Sequence, residues 1–127
     1  MMKKLTTKFQ AVVICSAILI FSPKLAHSNN LLANSMMLSE TEIQTKVADL
    51  PGWVVEGKEL KRSFKFKNFV EAVDFVNQLV EPAESLAHHP DLEVTYGRVD
   101  VSLTTHDAGG LTNLDFELAE KISQLVK

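Results

Sequence analysis

The chain has 127 residues, with 13 Lys and Arg against 16 Asp and Glu, a formal net charge of −3, four histidines and a single cysteine. That length leaves room for one domain with a modest core. The acidic balance and lone cysteine exclude a basic nucleic-acid-binding surface and a disulfide framework.

Lys3, Lys4 and Lys8 give a basic start, Ala11 to Phe21 an unbroken run of apolar and small residues, and Ser22-Pro23 a helix break ahead of Ala26-His27-Ser28. This order predicts a secretory signal peptide over residues 1–28 and an exported, periplasmic or secreted, mature chain. The run of 11 residues is too short to span a bilayer of roughly 30 Å as a helix. Because no acid precedes Glu40, an organelle-targeting segment is the alternative, and an uncleaved interfacial anchor a second. Cleavage after Ser28 would remove Lys3, Lys4, Lys8, Lys24 and Cys15, moving the net charge from −3 to −7. The mature chain is then expected to bind neither nucleic acid nor, stably, a membrane.

Residues 29–37 read as a flexible linker and residues 38–127 as the folded domain. Ser39 with Glu42 forms a capping box that opens a helix over Glu40 to Leu50, closed by Pro51-Gly52. Trp53 to Glu56 and Leu60 to Phe66 read as a hairpin about Gly57-Lys58, with Leu60, Arg62, Phe64 and Phe66 on one face. Asn68 and Glu71 cap a long helix whose expected stripe is Phe69, Val73, Val76, Val80, Ala83 and Ala87, with Ala72, Leu79 and Leu86 beside it. Pro82 is expected to kink this helix and Pro90 to stop it. Leu92 to Tyr96 and Val99 to Thr105 form a second hairpin about Gly97-Arg98, and Thr112 with Asp115 caps a last helix through Leu114, Leu118, Ile122 and Leu125. The order helix-strand-strand-helix-strand-strand-helix predicts an α+β domain, a four-stranded antiparallel sheet with helices packed on one face.

Three of the four histidines fall at element ends: His88 and His89 at the end of the long helix, His106 at the end of the last strand and off its core side. Adjacent imidazoles on a helix point about 100° apart, so the two cannot serve one atom alike. An imidazolium and a neutral imidazole from two directions would supply what the elimination of water needs, an acid for the leaving hydroxyl and a base for the departing proton. Three histidines are also a zinc set, although adjacent ones rarely share a metal. His88 as a helix C-terminal cation is the structural alternative. Glu84 stands one turn before His88, where it could meet the imidazole or remain a solvated charge. Asp115 reads first as a capping residue, and Tyr96 as core or pocket edge.

The whole spacing, Glu84-x3-His88-His89-Pro90-x5-Tyr96-x9-His106-x8-Asp115, resembles the signature of the pterin-4a-carbinolamine dehydratases. Trp53, the Arg62-Ser63-Phe64-Lys65-Phe66 strand and Thr105-His106-x3-Gly110-Leu111 extend the likeness across residues 38–127. The resemblance implies dehydration of 4a-hydroxytetrahydropterin to quinonoid dihydropterin and water, in recycling of a tetrahydrobiopterin-type cofactor. His88 and His106 would be its acid–base pair, and His89, Glu84, Tyr96 and Asp115 its substrate-binding residues. It implies no metal and no organic cofactor, and a homodimer or homotetramer built on helix and sheet-edge contacts. Family members often carry a polar or acidic residue where this chain has Ala87. The expected export sets the other reading beside it: a non-catalytic pterin-binding or protein-interaction module that retains the fold.

Overall fold

Ser39 opens the helix expected at the start of the folded domain. Its hydroxyl accepts from the Glu42 amide, and the Glu42 carboxylate returns a bond to the Ser39 amide at 2.9 Å, so α1 runs Glu40–Ala48. The hydrogen bonds from the Ser39 side chain and then its backbone hold the Glu42 carboxyl below its ordinary value of 4.5. A lowered folded-state pKa stabilises above the ordinary value and is lost as pH falls through the lowered one. Ser39→Ala is therefore expected to lower Tm by about 4–8 °C near neutral pH. That difference should shrink below pH 4.5, as a pH series of melts would read.

The computed structural model describes residues 32 and 34–126, so the expected leader, residues 1–28, lies outside the described residues. Within them Leu38 is buried and its amide donates to Leu111 O at 2.8 Å, which ties the start of the domain to its last loop. After α1 come β1 (Val54–Glu56), β2 (Glu59–Lys65), α2 (Phe69–Leu86), β3 (Asp91–Thr95), β4 (Arg98–Leu103) and α3 (Asn113–Gln124), with a 3-10 turn at His106–Ala108 before α3. The four strands form one antiparallel sheet in the order β1-β2-β4-β3. This is the expected α+β architecture. Among the described residues no helix is long and apolar enough to cross a membrane.

The alternation read in β2 and β4 selects the core. Leu60, Phe64, Val99, Val101 and Leu103 are buried beneath Ala72, Phe75 and Leu79 of α2 and Leu118, Ala119 and Ile122 of α3. Lys61, Ser63, Asp100 and Ser102 pair across the sheet on its open face. Gly97 is required at the β3–β4 turn, because a Cβ there would stand 2.8 Å from Phe66 O.

Helix α2 differs from its expected stripe. The buried residues are Ala72, Phe75, Leu79, Pro82 and Ala83, while Phe69 and Val80 are 52% and 57% exposed. The helix carries apolar residues on more than one face, and packing decided between them. Phe75 stacks between Phe64 and Phe66 at centroid distances of 4.7 and 5.1 Å, which turns its own stripe inward. Two ends also move. Helix α1 stops at Ala48, two residues early, and β4 stops at Leu103, so His106 opens the 3-10 turn rather than ending the strand.

Candidate active site

Three element ends meet at one margin of the sheet: the C-terminus of α2, the segment after β4 and the start of α3. Helix α2 ends by a Schellman motif, not by Pro90. Ala87 takes the left-handed conformation (φ 48°, ψ 38°), its amide donates to Glu84 O and the His88 amide donates to Ala83 O, each at 3.1 Å. A left-handed alanine costs about 1–2 kcal/mol. Asparagine and aspartate tolerate that conformation better than alanine.

The reversal at Ala87 separates the two histidines. His88 turns inward and is 8% exposed, with Nε2 2.7 Å from Asp115 Oδ1. His89 turns outward and folds back over the last helical turn, Nε2 2.8 Å from Glu84 Oε1, with both side chains largely exposed. The Glu84 contact thus goes to His89 rather than His88. The His88 side chain does not cap a terminal carbonyl: its Nε2 meets the Asp115 carboxylate, while its position just past the C-terminus of α2 is retained.

Asp115 is fully buried and every bond it makes is local to this site. Oδ2 accepts from the Thr105 hydroxyl and the Thr112 amide, both at 2.8 Å, and lies 3.4 Å from the Thr112 hydroxyl. The Thr105 and Thr112 hydroxyls are 2.8 Å apart. With Thr105 donating to the carboxylate, Thr112 donates to Thr105, so the chain of hydrogen bonds is consistent in direction. An ionised carboxylate only accepts, so His88 presents Nε2–H to Asp115 and the nitrogen left for a ligand is Nδ1.

Ala87, His88, His89, Thr104, Thr105, His106 and Asp107 line an open cavity of about 300 Å³. It therefore holds all three histidines singled out from the sequence. His106 is exposed on its 3-10 turn, and Thr104 fixes the preceding backbone through a 2.8 Å bond from its hydroxyl to Lys58 O. Asp115 does not line the cavity and reaches it through two lining residues, His88 and Thr105. Tyr96 is 72% exposed in the turn after β3, at the end of that strand away from His89 and roughly 17 Å from the cavity by strand rise. The structure does not bring Tyr96 to this site within one chain. Among the described residues no group of three or more His, Cys, Asp or Glu side chains is arranged as a metal site.

Thr105 was not singled out as a site residue. Its signal in the sequence is a hydroxyl two residues past Leu103, in step with the core-facing residues of β4, since a polar group directed inward needs a partner. A larger hollow, about 490 Å³, lies on the open face of the sheet beside Lys61, Ser63, Glu93 and Asp100. Its cation on β2 is already engaged: Lys61 bonds Glu59 and Glu56 at 2.8 and 3.2 Å, and these bonds hold its ammonium protonated above the ordinary range. A pinned cation is a poor proton carrier near neutrality, so the smaller cavity is the better chemical candidate.

A family model described as pterin 4 alpha carbinolamine dehydratase matches residues 36–125. The chain belongs to the pterin-4a-carbinolamine dehydratase family. A protein of a Nostoc species, provisionally named as such a dehydratase, is 56% identical over 91 residues, covering 72% of this chain and 98% of its own. One from Sulfolobus acidocaldarius with the same provisional name is 48% identical over 90 residues, 71% and 99% of the two chains. Among solved structures, a transcriptional coactivator/pterin dehydratase from Brucella melitensis superposes with a TM-score of 0.68 at 41% identity, over 72% of this chain and 99% of that one. A pterin dehydratase-like protein described as a RuBisCO assembly factor in the alpha-carboxysome matches at a TM-score of 0.50 and 21% identity, over 58% and 88% of the two chains, and shows the fold alone.

Proposed function

We propose that this protein dehydrates a 4a-hydroxytetrahydropterin to the quinonoid dihydropterin, as part of recycling a tetrahydropterin cofactor, with His88 as base and His106 as acid. The observation that carries the assignment is the 2.7 Å bond between His88 Nε2 and the fully buried Asp115. The carboxylate holds the neutral ring as the Nε2–H tautomer and stabilises the imidazolium formed when Nδ1 takes a proton. His106, solvated and approaching from another element, donates a proton to the leaving hydroxyl. The C4a–O bond breaks, a ring nitrogen of the pterin loses its proton to His88, and the products are water and a C=N bond. His89, kept turned outward by Glu84, contacts the substrate from the rim.

A homo-oligomer belongs to the same proposal. Strand β3 is a free sheet edge with Leu92 and Val94 part-exposed, and Phe69, Val70 and Val80 of α2 are exposed apolar residues. The non-catalytic alternative draws support from the Brucella protein, which is described as a transcriptional coactivator as well as a pterin dehydratase. A histidine backed by a buried carboxylate favours proton transfer over a bare scaffold.

Titration of a stable dihydropterin into the ¹⁵N-labelled protein should move the amide signals of Ala87, Thr104, Thr105 and Asp107. Movement confined to Lys61, Ser63 and Glu93 would place the ligand on the open sheet face and defeat the assignment.

A further inference from the structure

We propose that Thr105 is the positioning residue that couples the two histidines. Its side chain and its backbone act on different partners. The hydroxyl donates to Asp115 Oδ2 at 2.8 Å and stands 2.8 Å from the Thr112 hydroxyl, so it fixes the carboxylate that orients His88. The backbone anchors the turn that carries His106. Thr105 N donates to Gly110 O at 3.2 Å, Gly110 N returns a bond to Thr105 O at 3.4 Å, and Ala108 N donates to the same carbonyl at 3.1 Å. One residue thus joins the orientation of a ring 17 positions upstream to the placement of the next residue in the chain.

The physical consequence is specific. Without the Thr105 hydroxyl, Asp115 keeps the Thr112 amide and the Thr112 hydroxyl already 3.4 Å away, so the helix cap survives. What is lost is the fixed rotation of the carboxylate, and with it the strict presentation of Nε2–H by His88. The Thr105→Val variant keeps the branched shape and is expected to fold, whereas Thr105→Ser returns the hydroxyl without the methyl.

This inference rests on the dehydratase reading for its kinetic arm and stands apart from it in its spectroscopic arm. In the full chain at alkaline pH, where imidazoles are neutral, the ring nitrogens of His88 in ¹⁵N-labelled wild type should show the Nε2–H tautomer. Thr105→Val should show a mixture of both tautomers and Thr105→Ser the wild-type pattern. With a 4a-hydroxytetrahydropterin, Thr105→Val should lose about 10–100-fold in kcat, change KM by less than about threefold and alter the limb of the pH profile carried by the base, with Thr105→Ser recovering most of the loss. A folded Thr105→Val variant with an unchanged His88 ring spectrum overturns the proposal, whatever its activity. So does a changed spectrum with kcat within about twofold of wild type. If wild type itself does not accelerate the reaction while the tautomer mixture appears only in Thr105→Val, the coupling stands and the dehydratase reading falls.

Discussion

Replacing His106 by alanine is expected to lower kcat for a 4a-hydroxytetrahydropterin by about 10²–10⁴ while leaving the melting curve nearly unchanged. The separation of the two effects follows from exposure. His106 sits on the solvent side of a 3-10 turn and makes no side-chain hydrogen bond with another described residue, so its removal leaves no buried group unpaired. His88→Ala should cost similar activity for a different mixture of reasons, because it also strands the Asp115 carboxylate in the interior. The cleaner variant is His88→Gln, whose amide can still donate to Asp115 but cannot carry a proton through a ring. If the two histidines act in one step, the double variant should be scarcely slower than either single one. Steady-state rates and thermal melts of the four variants check this, and wild-type turnover by His106→Ala would remove the acid from the mechanism.

The largest effect on stability is expected at Asp115. Its carboxylate caps α3 through the Thr112 amide, receives the Thr105 hydroxyl and pairs with His88, all with no solvent exposure. Asp115→Ala leaves the Thr112 amide, the Thr105 hydroxyl and the His88 ring without their acceptor. Removing one partner of such a buried network costs about 3–5 kcal/mol, a large part of the roughly 5–15 kcal/mol that holds a domain folded. Urea unfolding should show a lower midpoint with little change in slope. Asp115→Asn tests the second role of the residue. The amide oxygen can still accept from Thr112 and Thr105, which turns the NH₂ toward His88 and forces the ring to accept at Nε2 and carry its proton on Nδ1. This variant should remain folded yet lose about 10²–10⁴ in kcat through the wrong tautomer. A folded Asp115→Asn with full activity would deny Asp115 any part in orienting His88.

Features set by neighbouring residues were legible in the sequence. Ser39–Glu42 and Thr112–Asp115 are capping pairs three residues apart, and both boxes close as expected. Alternation fixed the faces of β2 and β4, since a one-residue slip would place Lys61 or Asp100 in the core. The gathering of His88, His89 and His106 at one cavity was also foreseeable from element ends. The stop of α2 was not, because alanine carries little signal for the left-handed conformation and Pro90 offered a more obvious break. The separation of His88 and His89 depends on that one backbone reversal. The exposed side of α2 was misread because several apolar faces competed and only the Phe64–Phe75–Phe66 stack chose among them. The His88–Asp115 pair spans 27 positions and arises from tertiary packing. Asp115 was therefore recognised as a cap and through a family signature, without its partner.

The most direct measurement is the rate at which quinonoid dihydropterin forms from freshly generated 4a-hydroxytetrahydropterin, with and without the purified protein in the same buffer. Formation well above the buffer rate, proportional to protein concentration and abolished in His106→Ala, is the predicted result. Equal rates with and without the wild-type protein would contradict the assignment of this cavity as a dehydratase site.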